Sequence, residues 1–210
     1  MKSSTLVKTQ TGFKKNIGSV YLPEKKKLGK AIPPDYRREI ILADGTRLMV
    51  RPITCRDKKA FMRFHSQLSA QTRFLRYHYL KSEITEEDLK CFCDLDYVNS
   101  IALVVTKIQE KNADIIALGQ FIRVPPDHTA EIALVVQDSM QGKGIGTQLL
   151  RHLAILARQQ GIHHFVGEVL RNNGKMLSVF NKCDPGLEYE VDSPSTCNII
   201  TSVDQIINGY

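Results

Sequence analysis

The sequence has 210 residues and a mass of 23.7 kDa, with 29 Lys+Arg against 22 Asp+Glu, a formal charge of +7 and a pI near 9.2. Its 42% hydrophobic and 24% charged residues exclude disordered and fibrous classes, and no run approaches the roughly 18 apolar residues that a membrane-spanning helix needs. The excess charge is local: residues 1–30 hold eight lysines and one acid, Glu24, whereas residues 31–210 hold 21 basic and 21 acidic side chains, so neither a nucleic-acid nor a membrane partner is expected for the body.

In chain order, residues 1–30 read as a basic, flexible N-terminal arm lacking the apolar core of a secretory signal. Residues 31–210 read as one domain. Arg38–Leu42 and Leu48–Pro52 are short strands joined by Ala43-Asp44-Gly45-Thr46, with Asp-Gly as the hairpin signal. Thr54-Cys-Arg-Asp57 has capping-box form ahead of Ala60, Phe61, Phe64 and Leu68 at helical spacing, and Thr85-Glu-Glu-Asp88 repeats it ahead of Leu89, Phe92 and Leu95. Two helices are expected there. Ser100–Lys107, Ile115–Val124 and Ala130–Val136 are β-type runs separated by Asn112-Ala-Asp114 and Pro125-Pro-Asp-His128, which predicts an antiparallel meander. A long amphipathic helix follows from Gly142 to about Gln160 through Ile145, Leu149, Leu150, Leu153, Ile155 and Leu156. Then come a strand over Ile162–Leu170, a helix over Asn173–Lys182, and strands near Leu187–Val191 and Asn198–Val203. The expected fold is α/β, a mixed and mostly antiparallel central sheet flanked by helices.

Five cysteines (Cys55, Cys91, Cys93, Cys183, Cys197) show no disulfide framework, which fits a reduced, cytoplasmic protein. Cys91-Phe-Cys93 lacks a second ligand pair, so no metal is expected. His163-His164 point to opposite faces of a strand, Cys183 has no evident base, and Arg73 and Arg76 share a helix face suited to an acidic substrate or to surface ion pairs.

The most informative stretch runs from Val135 to Thr147, where an apolar strand enters a turn with glycines at 142, 144 and 146 and a helix follows at once. Unpaired N–H groups at a helix start, the positive dipole end and close-approaching glycine backbone together favour a phosphate. Lys143 adds a cation. No Gly-Lys-Ser/Thr is present for a Walker-type loop, and the third glycine comes one residue too soon for a dinucleotide fingerprint.

Gln141-Gly-Lys-Gly-Ile-Gly146 resembles the Q/R-x-x-G-x-G/A signature of GNAT-type N-acetyltransferases, and the order of elements over about residues 37–203 agrees. Gly45–Ile53, Leu68–Arg76, Asp96–Leu103, Ala130-Glu-Ile-Ala133 and Glu168-Val-Leu170 through Met176 are similar to the GNAT domain of bacterial protein lysine acetyltransferases. The resemblance implies acetyl-CoA as cosubstrate and transfer of its acetyl group to a primary amine, preferably a protein lysine, by direct attack in a ternary complex. The alternatives are a small-molecule amine or N-terminal acetyltransferase, or a coenzyme A-binding sensing module without turnover.

The resemblance places the general base at Glu131, whose apolar neighbours suit a carboxyl of raised pKa; strand alternation alone equally allows an outward-facing residue in water. It places cofactor binding at Leu134, Val135 and Val136 on a splayed strand, at Gln141, Gly142, Lys143, Gly144, Ile145, Gly146 and Thr147 in the turn, and at Asn173 and Phe180. Asn173 is also a natural helix N-cap. Phe180 stands where many relatives carry a proton-donating tyrosine, and Tyr189 is read as a strand residue in the first place and a substitute donor in the second. Acceptor and oligomeric state are open from sequence.

Overall fold

A computed structural model describes residues 36–93, 95–108, 114–187, 189–191 and 193–209, without the side chains of residues 91–93. The basic segment 1–30, the Asn112-Ala113 part of the meander turn and the Cys91 and Cys93 side chains lie outside the described residues.

Strands β1 (Arg38–Ile41) and β2 (Arg47–Pro52) form the expected hairpin, with Gly45 at φ 81° in its turn. A 3-10 turn, Cys55–Asp57, leads into α1 (Lys58–Gln67), then α2 (Ala70–Tyr77) and α3 (Glu86–Cys93). Both capping boxes form: Asp57 accepts from the Thr54 N–H at 2.8 Å and Asp88 from the Thr85 N–H at 2.7 Å. Asp57 also takes a two-pronged bond from Arg51 at 2.7 and 2.8 Å. Burial alone would raise the Asp57 pKa; the guanidinium and the Thr54 donors outweigh it and hold the carboxyl below its usual range.

Three α-helices stand where two were expected. The added break is at Ser69, whose hydroxyl accepts from the Thr72 N–H at 3.1 Å and caps α2.

The meander follows as β3 (Ser100–Lys107), β4 (Ile115–Val124) and β5 (Thr129–Val136). Helix α4 (Ile145–Gln159) returns the chain to β6 (His164–Leu170), and α5 (Gly174–Cys183), β7 (Tyr189–Val191), β8 (Thr196–Ser202) and α6 (Val203–Asn208) complete it. Val203 was expected to end a strand and instead starts α6, because Val203 and Ile206, one helical turn apart, are both buried in the core that α4 lines.

The eight strands form one sheet in the order β1-β2-β3-β4-β5-β6-β8-β7. Every neighbouring pair is antiparallel except β5–β6. One face buries Ile101, Phe121, Ile132, Leu134 and Phe165 under α4 through Ile145, Leu149, Leu153 and Leu156. The other face buries Ala102, Val104, Leu118 and Val135 under Phe61, Phe64 and Leu68 of the α1–α3 layer. With helices on both sides, β3 is buried at six consecutive positions rather than alternating. Ile155, one of the apolar positions expected in the long helix, faces solvent at 39% exposure.

Two contacts fix α4 against the sheet. The Arg123 guanidinium, itself buried, donates to the Gln160 carbonyl at 2.6 Å just past the helix end. At Gly119 of β4, an added Cβ would meet Leu134 Cδ2 at 2.5 Å and Leu153 Cδ1 at 2.7 Å. The absent side chain is what lets the helix approach so closely. Gly119→Ala should cost about 1–3 kcal/mol of stability through overpacking, read as a lower urea midpoint at unchanged slope.

Candidate active site

The β5–β6 pairing is brief. Thr129 pairs with His164, Ala130 with Phe165 and Glu131 with Val166, and there it stops, although β5 continues to Val136 and β6 to Leu170. Each strand keeps its outer partner, β4 and β8 respectively, while the two diverge. The fork this makes leaves the β6-facing backbone edge of Ile132–Val136 without a strand partner among the described residues. Gly167 marks the narrow end, since a Cβ there would come within 3.3 Å of the Ile132 carbonyl oxygen.

A cleft of about 350 Å³ opens along the fork. Leu134, Val135 and Val136 line it from β5, Gln141, Gly142, Gly144, Ile145, Gly146 and Thr147 from the turn and the start of α4, and Asn173, Met176 and Val179 from α5 and its cap. Thr72, Leu75 and Arg76 of α2 line it as well.

Gly142 and Gly144 have φ 78° and 82°, backbone that a side chain would strain. The first hydrogen bond in the α4 ladder runs from the Gln148 N–H to the Gly144 carbonyl at 3.1 Å. The N–H groups of Ile145, Gly146 and Thr147 therefore precede it at the positive end of a four-turn helix, a site suited to an anion. Gly146 has another function: a Cβ there would stand 3.2 Å from Val179 Cγ2 and press α5 away.

Gln141 pins the turn. Its amide nitrogen donates to the Val136 carbonyl at 3.0 Å and to Thr72 Oγ1 at 3.3 Å, and its oxygen accepts from Lys175 Nζ at 2.7 Å. Asp138 accepts from the Ser69 N–H at 2.9 Å and from the Ser69 and Thr72 hydroxyls at 2.7 Å each. Burial pushes the Asp138 pKa up, but these three donors prevail and hold it low. Asn173 caps α5, its side-chain oxygen accepting from the Met176 N–H at 3.2 Å.

Glu131 does not line the cleft. It lies at the closed end of the fork on the opposite pleat from Leu134, facing the α2 side. Its side chain is exposed at the surface, with neighbouring protein atoms displacing part of its water. The resulting loss of hydration raises its pKa; nearby Arg76 works against that rise and Glu168 adds to it.

Two expected cofactor positions lie elsewhere. Phe180 is 3% exposed and packs in the core, because the cleft-facing stripe of α5 is Met176, Val179 and Lys182. Lys143 lies outside the cleft on a smaller adjoining pocket, with its ammonium 3.3 Å from Asp44 Oδ2.

Tyr189 donates to Asn181 Oδ1 at 2.5 Å and does not line the cleft. Cys183 is fully buried, which raises its thiol pKa, so it offers no nucleophile. His163 and His164 are both exposed. Among the described residues, no three His, Cys, Asp or Glu side chains converge as a metal site and no helix is long and apolar enough to cross a membrane. The α2 residues Thr72 and Arg76 line the cleft although the sequence offered Thr72 no role and Arg76 only a helix face suited to an acidic substrate or surface ion pairs.

Residues 67–184 match the family model described as Acetyltransferase (GNAT) family. The structure is similar to the GNAT domain of S. lividans PAT, at TM-score 0.73 and 30% identity over 81% of this chain and 98% of that one. It is 28% identical over 120 residues to Acetyltransferase PA5475 of Pseudomonas aeruginosa, covering 57% of this chain and 64% of the relative. It is 27% identical over 139 residues to Acetyltransferase Pat of Mycolicibacterium smegmatis, covering 66% of this chain. The match thus spans less than two thirds of either curated relative, 41% in the case of Pat. A diverging β5–β6 pair, a glycine turn at the start of α4 and a family match over residues 67–184 together make this chain a member of the GNAT acetyltransferase family.

Proposed function

We propose that the protein is an N-acetyltransferase that moves the acetyl group of acetyl-CoA to a primary amine, with a protein lysine as the preferred acceptor. The observation that carries this reading is the fork: a glycine-lined anion site at its open end and a carboxylate of raised pKa where the strands meet. The pyrophosphate would sit on the N–H groups that open α4, and the pantetheine arm would run along the free edge of Leu134–Val136. That route points the thioester through the fork toward the face carrying Glu131. Lysine as acceptor is supported by the likeness to the GNAT domain of S. lividans PAT and by the resemblance of this sequence to protein lysine acetyltransferases.

An ammonium has no lone pair, so one proton must leave before attack. Glu131 takes it, directly or through a water. The amine nitrogen then attacks the thioester carbonyl carbon, the C–N bond forms, and backbone N–H groups in the fork stabilise the oxyanion. The C–S bond breaks as the intermediate collapses. The nitrogen's second proton balances the one gained by the departing sulfur, with solvent as carrier, because neither Phe180 nor Tyr189 lines the cleft.

Release of free thiol from acetyl-CoA across a panel of lysine-bearing proteins and simple amines tests the reading. Amine-dependent release is expected, and tight acetyl-CoA binding with no release on any acceptor would make the protein a sensing module instead. Glu131→Gln should lower kcat on the order of 10²–10⁴-fold while the acetyl-CoA Kd, measured by calorimetry, stays within error. Because Glu131 acts as its carboxylate and its pKa is raised, the rate should climb with pH through an acid limb lying above the ordinary glutamate value. Gly144→Ala, which forces a side chain onto a φ of 82°, should weaken acetyl-CoA binding by about tenfold, a strain of roughly 1–2 kcal/mol.

A further inference from the structure

The sheet face that carries Glu131 is covered unevenly. Helices α1 and α2 pack over β4 and β5, while among the described residues no helix packs over this face of the β6–β8 half next to them, where Ile200 is 55% exposed. Strand register puts Ile122, Glu131, Val166 and Ile200 in one row across β4, β5, β6 and β8, all on this face. One pleat nearer the open end of the fork, Glu168 projects from β6 on the same face and close enough to Glu131 to influence its ionisation. Two carboxylates therefore flank the point where a thioester passing through the fork would emerge, and an apolar strip of Val166 and Ile200 leads away from them.

The end of α2 completes the surroundings. His78 terminates that helix in left-handed backbone, φ 61°, its N–H bonded to the Phe74 carbonyl at 2.8 Å. This turn brings its Nδ1 to 3.9 Å from Glu168 Oε1. Burial lowers the His78 pKa, with Glu168 opposing that effect and Arg76 adding to it, so at neutral pH the imidazole leaves the carboxylate's charge uncancelled. Arg76, in contrast, offsets the charge of Glu131. Of the two carboxylates, Glu168 is the one left to attract a cation.

We propose that Glu168 binds the ammonium group of the acceptor and that Val166 and Ile200 seat its aliphatic stem, which makes the site selective for primary amines on a chain of several methylenes, as in a lysine side chain. This rests on the acetyltransferase reading above. Glu168 holds the nitrogen beside Glu131, which takes the proton; Glu168 is a binding group and Glu131 the base. A hydrogen-bonded charge pair of this kind is sensitive to loss of the charge at constant shape.

Steady-state thiol release with Nα-acetyl-lysine amide and with ethylamine, on the full chain, separates the possibilities. Wild type should show the lower KM for the long-stemmed amine. Glu168→Gln should raise the KM for Nα-acetyl-lysine amide about tenfold and leave the acetyl-CoA Kd unchanged, with Glu168→Asp falling between. Ile200→Ser should narrow the gap between the two amines. An unchanged acceptor KM in Glu168→Gln, or a parallel loss of acetyl-CoA affinity, would overturn the assignment while the enzyme reading stands. Wild-type protein with no amine-dependent release would overturn both.

Discussion

Adjacent parallel strands in a sheet ordinarily hydrogen-bond along their shared length; here β5 and β6 part after three residue pairs, and the rest of the site follows from that. The divergence is tolerable because each strand keeps its other partner: β5 stays registered with β4 to Val136, and β6 with β8 to Leu170. Only the middle ladder is given up. The backbone groups so released would be costly if buried and unpaired, but they open onto a cleft where an amide-bearing ligand can pair with them. The same divergence leaves Glu131 at the last position paired with β6 and Glu168 just beyond the last pairing with β5, so the cleft and the two acidic groups share one origin.

Side-chain hydrogen bonds tie the two ends of this arrangement together. Asp138 and Gln141 come from the segment between β5 and α4, yet they bond to Ser69 and Thr72 at the start of α2. Helix α2 then carries Arg76 to the cleft and His78 to the neighbourhood of Glu168. These bonds join the segment before the glycine turn to the helix that carries Arg76 toward Glu131. Lys175, bonded to Gln141, extends the same connection to α5.

The hairpin, the meander and the glycine turn were legible in the sequence because each has a local physical signature: alternating or continuous apolar runs, Asp-Gly at a hairpin, and three alternating glycines ahead of a helical stripe. The capping boxes were legible for the same reason. What escaped was decided by tertiary packing. The break at Ser69 depends on Asp138, 69 residues away, which satisfies its N–H and hydroxyl. Phe180 is on the right helix for the cleft but on its core-facing stripe, and one-dimensional spacing from Asn173 does not report the rotation of α5 about its axis. Lys143 is drawn aside by Asp44 of a hairpin 99 residues earlier. Glu168 stands in a recognisable run, but its meaning depends on which half of a sheet face the helices leave bare.

The sheet divides its apolar material unequally, with the larger core under α4 and the smaller under α1–α3. Resistance to local opening follows buried apolar contact. The α4 side, where the glycine turn opens, therefore has more buried apolar contact to resist local opening than the α1–α3 side, to which α2 with Arg76 belongs. Asp138, which lies just before the glycine turn and bonds to Ser69 and Thr72 of the α1–α3 layer, joins the two unequal sides of the sheet at a single carboxylate.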